Sequence, residues 1–239
     1  MSEKNTESNR EVVNVRDLLV KFGNVVALQD VSFKLHKGTV CALIGMNGSG
    51  KSTLFKSLMR ICTPTSGSIE LGTTSVGYLP QSEEVDWTFP LSVFDVVLMG
   101  RYGKLGLSRK ARAVDIEKAR SGLLRVGMQD YEDRQIGELS GGQRKRVFLA
   151  RSLAQEADLL LLDEPFAGVD KTSEETIVQV LKSLAENGTT VLIATHDLTT
   201  LPQLATEAIL LQNCIILHDQ LQIVLKPENL AQAFGVKPA

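Results

Sequence analysis

The sequence contains no apolar run long enough to cross a membrane. A spanning helix needs about 18 or more consecutive apolar residues. The longest apolar stretches here, such as residues 159–162 and 208–211, are strand-sized. The chain is therefore not expected to supply a membrane-spanning helix of its own. Cysteine is scarce: Cys41, Cys62 and Cys214 form no C-x-x-C pair. An odd, scattered set suits a reducing cytosol better than a disulfide framework. The three histidines are isolated, so no metal-ligand cluster stands out. Cys41 follows an apolar strand position where a thiol packs, and His36 and His218 read as ordinary structural or solvated side chains. Excess charge is also missing, and a net charge of -2 argues against the basic footprint of a nucleic-acid binder. Residues 1–10 are polar and lack the apolar core of a signal peptide, so they are expected to be a disordered polar tail.

What is present is the composition of a soluble globular protein, with 43% apolar and 23% charged residues. A chain of 239 residues is enough for one large α/β domain, here residues 11–239. Residues 12–35 alternate in short apolar runs around a turn at Gly23-Asn24, which predicts antiparallel strands. Residues 40–44 form a continuous apolar run, followed by a glycine-rich loop and a helical pattern over 52–62. Strands are expected near 75–79, 159–162, 190–194, 208–211 and 215–217, and helices over 91–99, 108–126, 144–155 and 173–187. Ser108 is the expected N-cap of the second of these helices. Strands alternating with helices imply a mostly parallel sheet, with residues 82–140 as a helical insertion.

The loop reads Gly45-Met46-Asn47-Gly48-Ser49-Gly50-Lys51-Ser52-Thr53 and fits the phosphate-binding pattern G-x-x-x-x-G-K-[ST]. Its glycines let backbone N–H groups turn toward phosphate oxygens, and the following helix adds its positive end. Lys51 is expected on the β- and γ-phosphates and Ser52 on Mg²⁺. Far downstream, an apolar strand delivers Asp163 and Glu164 at its carboxyl end, where α/β proteins build ligand sites. Asp163 is the expected Mg²⁺ partner and Glu164 the general base for an attacking water. Between the two lies Leu139-Ser140-Gly141-Gly142-Gln143, an anion-receptive start to a helix.

Taken together, these motifs resemble the nucleotide-binding subunit of an ATP-binding cassette (ABC) transporter. The resemblance implies a P-loop NTPase fold with a mostly parallel core sheet, an N-terminal antiparallel β subdomain and the helical insertion. It implies ATP and Mg²⁺ as ligands. Ser140, Gly141, Gly142 and Gln143 would close over ATP held by a second ATPase chain, so two chains, most simply identical, would pair head to tail. By the same resemblance Gln81 would contact Mg²⁺ or the water, His196 would bond the γ-phosphate, and Asp170 would lie at the dimer interface. Phe22 would stack on adenine, against the alternative of a core aromatic.

The stretch after Gln81, with Gly100, Arg101 and Tyr102 at its end, is similar to ATP-binding subunits of manganese, zinc and iron importers. That implies an integral membrane permease, an extracytoplasmic solute-binding protein acting indirectly, and a peripheral position on the cytoplasmic side of the membrane. Trp87, Phe89, Leu91 and Phe94 form a candidate socket for a permease helix. Another solute such as an iron chelate, or a soluble ABC ATPase outside transport, stands as an alternative. The segment 70–77 is short for the family and should trim a surface hairpin, while 220–225 lacks an expected glycine. Arg144-Lys145-Arg146, and the basic group of Arg101, Lys104, Arg109, Lys110 and Arg112, are expected on solvated faces.

Overall fold

The computed structural model describes residues 10–81, 89–105 and 110–234. Two sheets organise it. Strands β1 (Glu11–Phe22) and β2 (Val25–His36) form the hairpin around Gly23, and β4 (Ser66–Leu71) pairs with the other edge of β1. The larger sheet has the order β5 (Val76–Leu79), β6 (Leu159–Asp163), β7 (Thr190–Thr195), β3 (Val40–Ile44), β8 (Glu207–Gln212) and β9 (Cys214–Gln220). Its strands are parallel except β9, which turns back antiparallel to β8.

The parallel strands are buried on both faces, which is why they read as unbroken apolar runs. Along β6, Leu160 and Leu162 pack into one apolar core, while Leu159 and Leu161 pack into a second. The second core lies against the three-stranded sheet and helix α1 (Lys51–Leu58), which contributes Leu54, Phe55 and Leu58. The first core receives the helices that follow β5: α2 (Val93–Leu98), α3 (Ala113–Arg125) and α4 (Gly141–Gln155), together with α5 (Lys171–Glu186). Two short helices, α6 (Leu221–Val224) and α7 (Pro227–Phe234), complete the described chain.

Several local expectations change. The helix expected over 108–126 begins at Ala113, where the Arg112 N–H bonds to Asp115 Oδ2 at 3.1 Å; Ser108 lies outside the described residues. The strand β4 carries little sequence signal, because an exposed polar edge strand lacks the alternation that burial imposes. Segment 220–225 forms α6 without needing the glycine.

The expected basic patch holds at Lys104, Lys110 and Arg112, which are exposed, but not at Arg101; Arg109 lies outside the described residues. Arg101 is buried and bonds Asp115 at 3.1 Å and Glu156 at 2.8 Å, and Lys104 also pairs with Glu156. Charged residue types alone cannot reveal such internal pairing. Nor is Arg144-Lys145-Arg146 a solvated face: each reaches a backbone carbonyl, at Gly137, Glu164 and Val126 respectively. The aromatic group divides as well. Phe89 is exposed, Leu91 and Phe94 pack on the first core, and Trp87 lies outside the described residues.

Candidate active site

Four parallel strands end on the same side of the sheet, and each is followed by a predicted site residue. Ile44 of β3 runs into Gly45, Leu79 of β5 into Pro80 and Gln81, Asp163 of β6 into Glu164, and Thr195 of β7 into His196. Register keeps these ends level, since Ile44 pairs with Thr195 and Asp163 with Ala194. A cavity of about 340 Å³ opens there. Its walls include Asn47, Gly48, Ser49, Gly50, Lys51, Ser52, Thr53, Gln81, Asp163, Glu164 and His196, so most of the predicted constellation converges.

The loop conformation explains its glycines. Gly48 and Gly50 have φ of 83° and 100°, in the left-handed region that disfavours side chains. A Cβ at Gly50 would meet Leu28 Cδ2 at 2.6 Å and the Ala27 carbonyl at 2.8 Å. Lys51 Nζ donates to the carbonyls of Gly45 at 2.7 Å and Met46 at 3.1 Å. Burial lowers its pKa, while the charges of Glu164 and Asp163 pull the other way. The Ser49 hydroxyl is buried without a hydrogen-bond partner. Ser52 Oγ donates to Asp163 Oδ2 at 3.3 Å, joining the loop to β6.

Glu164 is buried and held at φ 49°, a left-handed conformation that costs a non-glycine residue about 1–2 kcal/mol. The surroundings fix it there. Its N–H bonds the Ala194 carbonyl at 2.9 Å. Oε2 accepts from Thr195 Oγ1 at 3.1 Å, and Oε1 accepts from the His196 N–H at 3.1 Å. His196 Nδ1 lies 2.7 Å from the same oxygen. The His196 side chain is 60% exposed, against 7% for Glu164, so an exposed ring leans on a buried carboxylate.

The remaining predicted residues lie elsewhere. Among the described residues, the cavity wall includes none of Ser140, Gly141, Gly142 or Gln143. Those four begin α4: Ser140 Oγ accepts from the Gln143 N–H at 3.3 Å, and Gln143 Oε1 accepts from the Ser140 N–H at 2.9 Å. Asp170 caps α5, accepting from the Ser173 N–H and hydroxyl at 2.9 and 2.8 Å. Phe22 does not line the cavity; it is 55% exposed at the end of β1, while Val25 and Val26 beside it do line it.

Three residues were not foreseen. Thr195 orients the Glu164 carboxylate, Asn213 lines the cavity from the β8–β9 turn, and Lys145 binds the Glu164 carbonyl. Thr195 sits directly before a predicted site residue at a strand end, which is the one signal that could have found it.

Among the described residues, no helix is long and apolar enough to cross a membrane. The family model for the ABC transporter matches residues 28–167. The chain is 45% identical over 236 residues to the manganese transport system ATP-binding protein MntA of Synechocystis, covering 95% of this chain and 91% of that protein. It is 41% identical over 230 residues to the zinc transport system ATP-binding protein TroB of Treponema pallidum, covering 93% and 86%. A solved structure of a transporter assigned to the metal-chelate ABC type, facing inward, superposes with a TM-score of 0.86 at 32% identity, over 94% of this chain and 89% of that one. More than half of the sequence fits one family model and nearly all of it aligns with that family's ATP-binding proteins, so the chain belongs to the ABC transporter family and is one of its ATPases.

Proposed function

We propose that this chain powers the import of manganese, or of the related zinc or iron ions, through a separate membrane permease. The cargo reading is supported by the relatives named for manganese and zinc transport. The observation that carries the mechanism is the convergence of Lys51, Ser52, Asp163, Glu164 and His196 on one cavity at the strand ends.

In this reading the backbone N–H groups of Gly48 to Lys51 cradle the phosphates of ATP, and Lys51 exchanges its loop carbonyls for phosphate oxygens. Ser52 and Asp163, 3.3 Å apart, offer hydroxyl and carboxylate oxygens that fit Mg²⁺, and Gln81 stands on the same cavity wall. Magnesium bound there would supply positive charge to the phosphate oxygens. His196 swings from Glu164 Oε1 to the γ-phosphate, which frees that oxygen to accept a proton from the attacking water. Thr195 keeps the other carboxylate oxygen in position. Phe22, with Val25 and Val26, forms the base-facing side.

Ser140 to Gln143 stand outside this cavity, which supports a head-to-tail pair of chains in which each loop completes the partner's site. Asp170, on the α5 cap, lies at that interface. Closure of the pair on ATP moves the permease, and hydrolysis reopens it.

Glu164→Gln tests the base. The variant should bind ATP, pair stably and hydrolyse little; near-normal turnover would remove Glu164 from that role. Metal analysis of cells carrying the variant, grown on limiting metals, tests the cargo. Selective loss of manganese, zinc or iron identifies it. Unchanged content of all three moves the cargo to another solute, while a loss confined to iron leaves an iron chelate as the second reading, in line with the metal-chelate transporter.

A further inference from the structure

At the end of the large sheet away from the phosphate loop, three strands bring unlike side chains together. Cys41 on β3 stands in register with Glu207 on β8, and β9 carries His218 opposite Ile209. One ligating atom from each of Cys41, Glu207 and His218 lies within 4.8 Å of the others. His218 Nε2 is 3.7 Å from Glu207 Oε2. The His218 ring is braced edge-on by Phe33 of β2, with centroids 6.4 Å apart.

The other carboxylate oxygen, Glu207 Oε1, is buried and has no hydrogen-bond partner. An unsatisfied buried acceptor is destabilising, and a bound cation would remove that penalty. Cys41 is fully buried, and its thiol donates to the Ala42 carbonyl at 3.7 Å. A positive charge between the three side chains would satisfy the Glu207 oxygen. None of the three lines the nucleotide cavity.

We infer that Cys41, Glu207 and His218 form a second site, which binds a divalent transition-metal ion and is best matched to zinc. A thiolate, an imidazole and a carboxylate are the donors zinc prefers, whereas magnesium and calcium take oxygen alone. Manganese stands lowest of the first-row divalent ions at such a site. Three protein donors leave a fourth position to water.

Zinc bonds of about 2.0–2.3 Å put tetrahedral donors roughly 3.5 Å apart, so the cluster must close by about 1 Å. Glu207 and His218 are only partly buried, and side-chain rotation there supplies the movement. Binding replaces the Cys41 S–H bond with a sulfur–metal bond and releases that proton to water, while neutral His218 and ionised Glu207 donate lone pairs without losing protons. The ion would clip β3, β8 and β9 together. The inference does not depend on which solute is transported.

The test uses the full chain with Cys62→Ser and Cys214→Ser, which silences the other thiols. The protein is stripped with chelator, kept in magnesium without nucleotide, and titrated with Zn²⁺ against a chromophoric chelator and with Co²⁺ by absorption. One ion per chain is expected, with a thiolate-to-cobalt charge-transfer band. His218→Gln and Glu207→Gln should each weaken zinc binding by more than about tenfold, with folding checked by circular dichroism. Cys41→Ala should remove the thiolate band; if that variant does not fold, His218→Gln decides. No stoichiometric binding, no thiolate band, or unchanged affinity in folded His218→Gln would overturn the site.

Discussion

Lys145 Nζ donates to the carbonyl oxygen of Glu164 at 2.6 Å, and to that of Ala167 at 2.5 Å. One amine on α4 thus holds both ends of the turn that presents the candidate base. Burial pulls its pKa down to about 8, opposed by the Glu164 charge. Lys145→Met keeps the apolar stem and removes both bonds. We expect a stability loss of about 1–3 kcal/mol and a lower kcat with ATP affinity little changed, checked by denaturation and steady-state kinetics.

The same lysine predicts a pH effect. Between about 8 and the ordinary 10.5, the unfolded chain holds a proton at Lys145 that the folded chain has released. Its contribution to stability therefore rises with pH through that window. Denaturant titrations of wild type and Lys145→Met at both ends of the window should differ in slope in that sense. Effects of Lys51 and Cys41 are common to both proteins and cancel.

Gly50→Ala places a methyl group against Leu28 and the Ala27 carbonyl, at φ 100°. The strain alone costs about 1–2 kcal/mol, and relieving the contact must shift the loop. ATP affinity should fall at least tenfold, or about 1.4 kcal/mol, as measured by fluorescent-nucleotide binding.

Arg101→Met removes a buried cation from Asp115, which is fully buried, and from Glu156. Breaking a buried pair from one side costs about 3–5 kcal/mol, and the Arg112 contacts to Asp115 put the expected value at the lower end. Urea denaturation would reveal it.

Glu156 receives Lys118, Arg101 and Lys104, and these bonds lower its pKa from 4.5 to about 2. Its stabilisation is present above pH 4.5 and is lost as pH falls from there toward 2. The side chain is 42% exposed, so solvent screening limits the effect to about 1 kcal/mol. Glu156→Gln should lose that stability near neutral pH and show a shallower acid transition by circular dichroism.

The sequence exposed what rests on local backbone demands. The glycine spacing of the phosphate loop, the apolar run ending in Asp163 and the turn at Gly23 each follow from nearby chemistry. Contacts across the chain were hidden. Nothing near His196 foretells its 2.7 Å approach to Glu164, which arises only when β6 and β7 pair. Lys145 and Arg101 read as solvated because their acceptors are backbone or distant acids. Cys41, Glu207 and His218 read as unrelated because only β8 and β9 carry the latter two to β3.

Asn213, in the β8–β9 turn, bonds through its backbone N–H, its backbone carbonyl and its side-chain nitrogen. Its N–H bonds the Ser49 carbonyl at 2.8 Å, its carbonyl receives the Gln29 N–H at 2.7 Å, and its side-chain amide donates to Ala27 at 2.9 Å. The glycine loop, β2 and the sheet's last hairpin are thereby buttoned at one point. Amide exchange at Gln29 and Asn213 should consequently slow and quicken together, and a protease cut in that hairpin, far along the chain from the phosphate loop, would loosen the loop while leaving its own sequence whole.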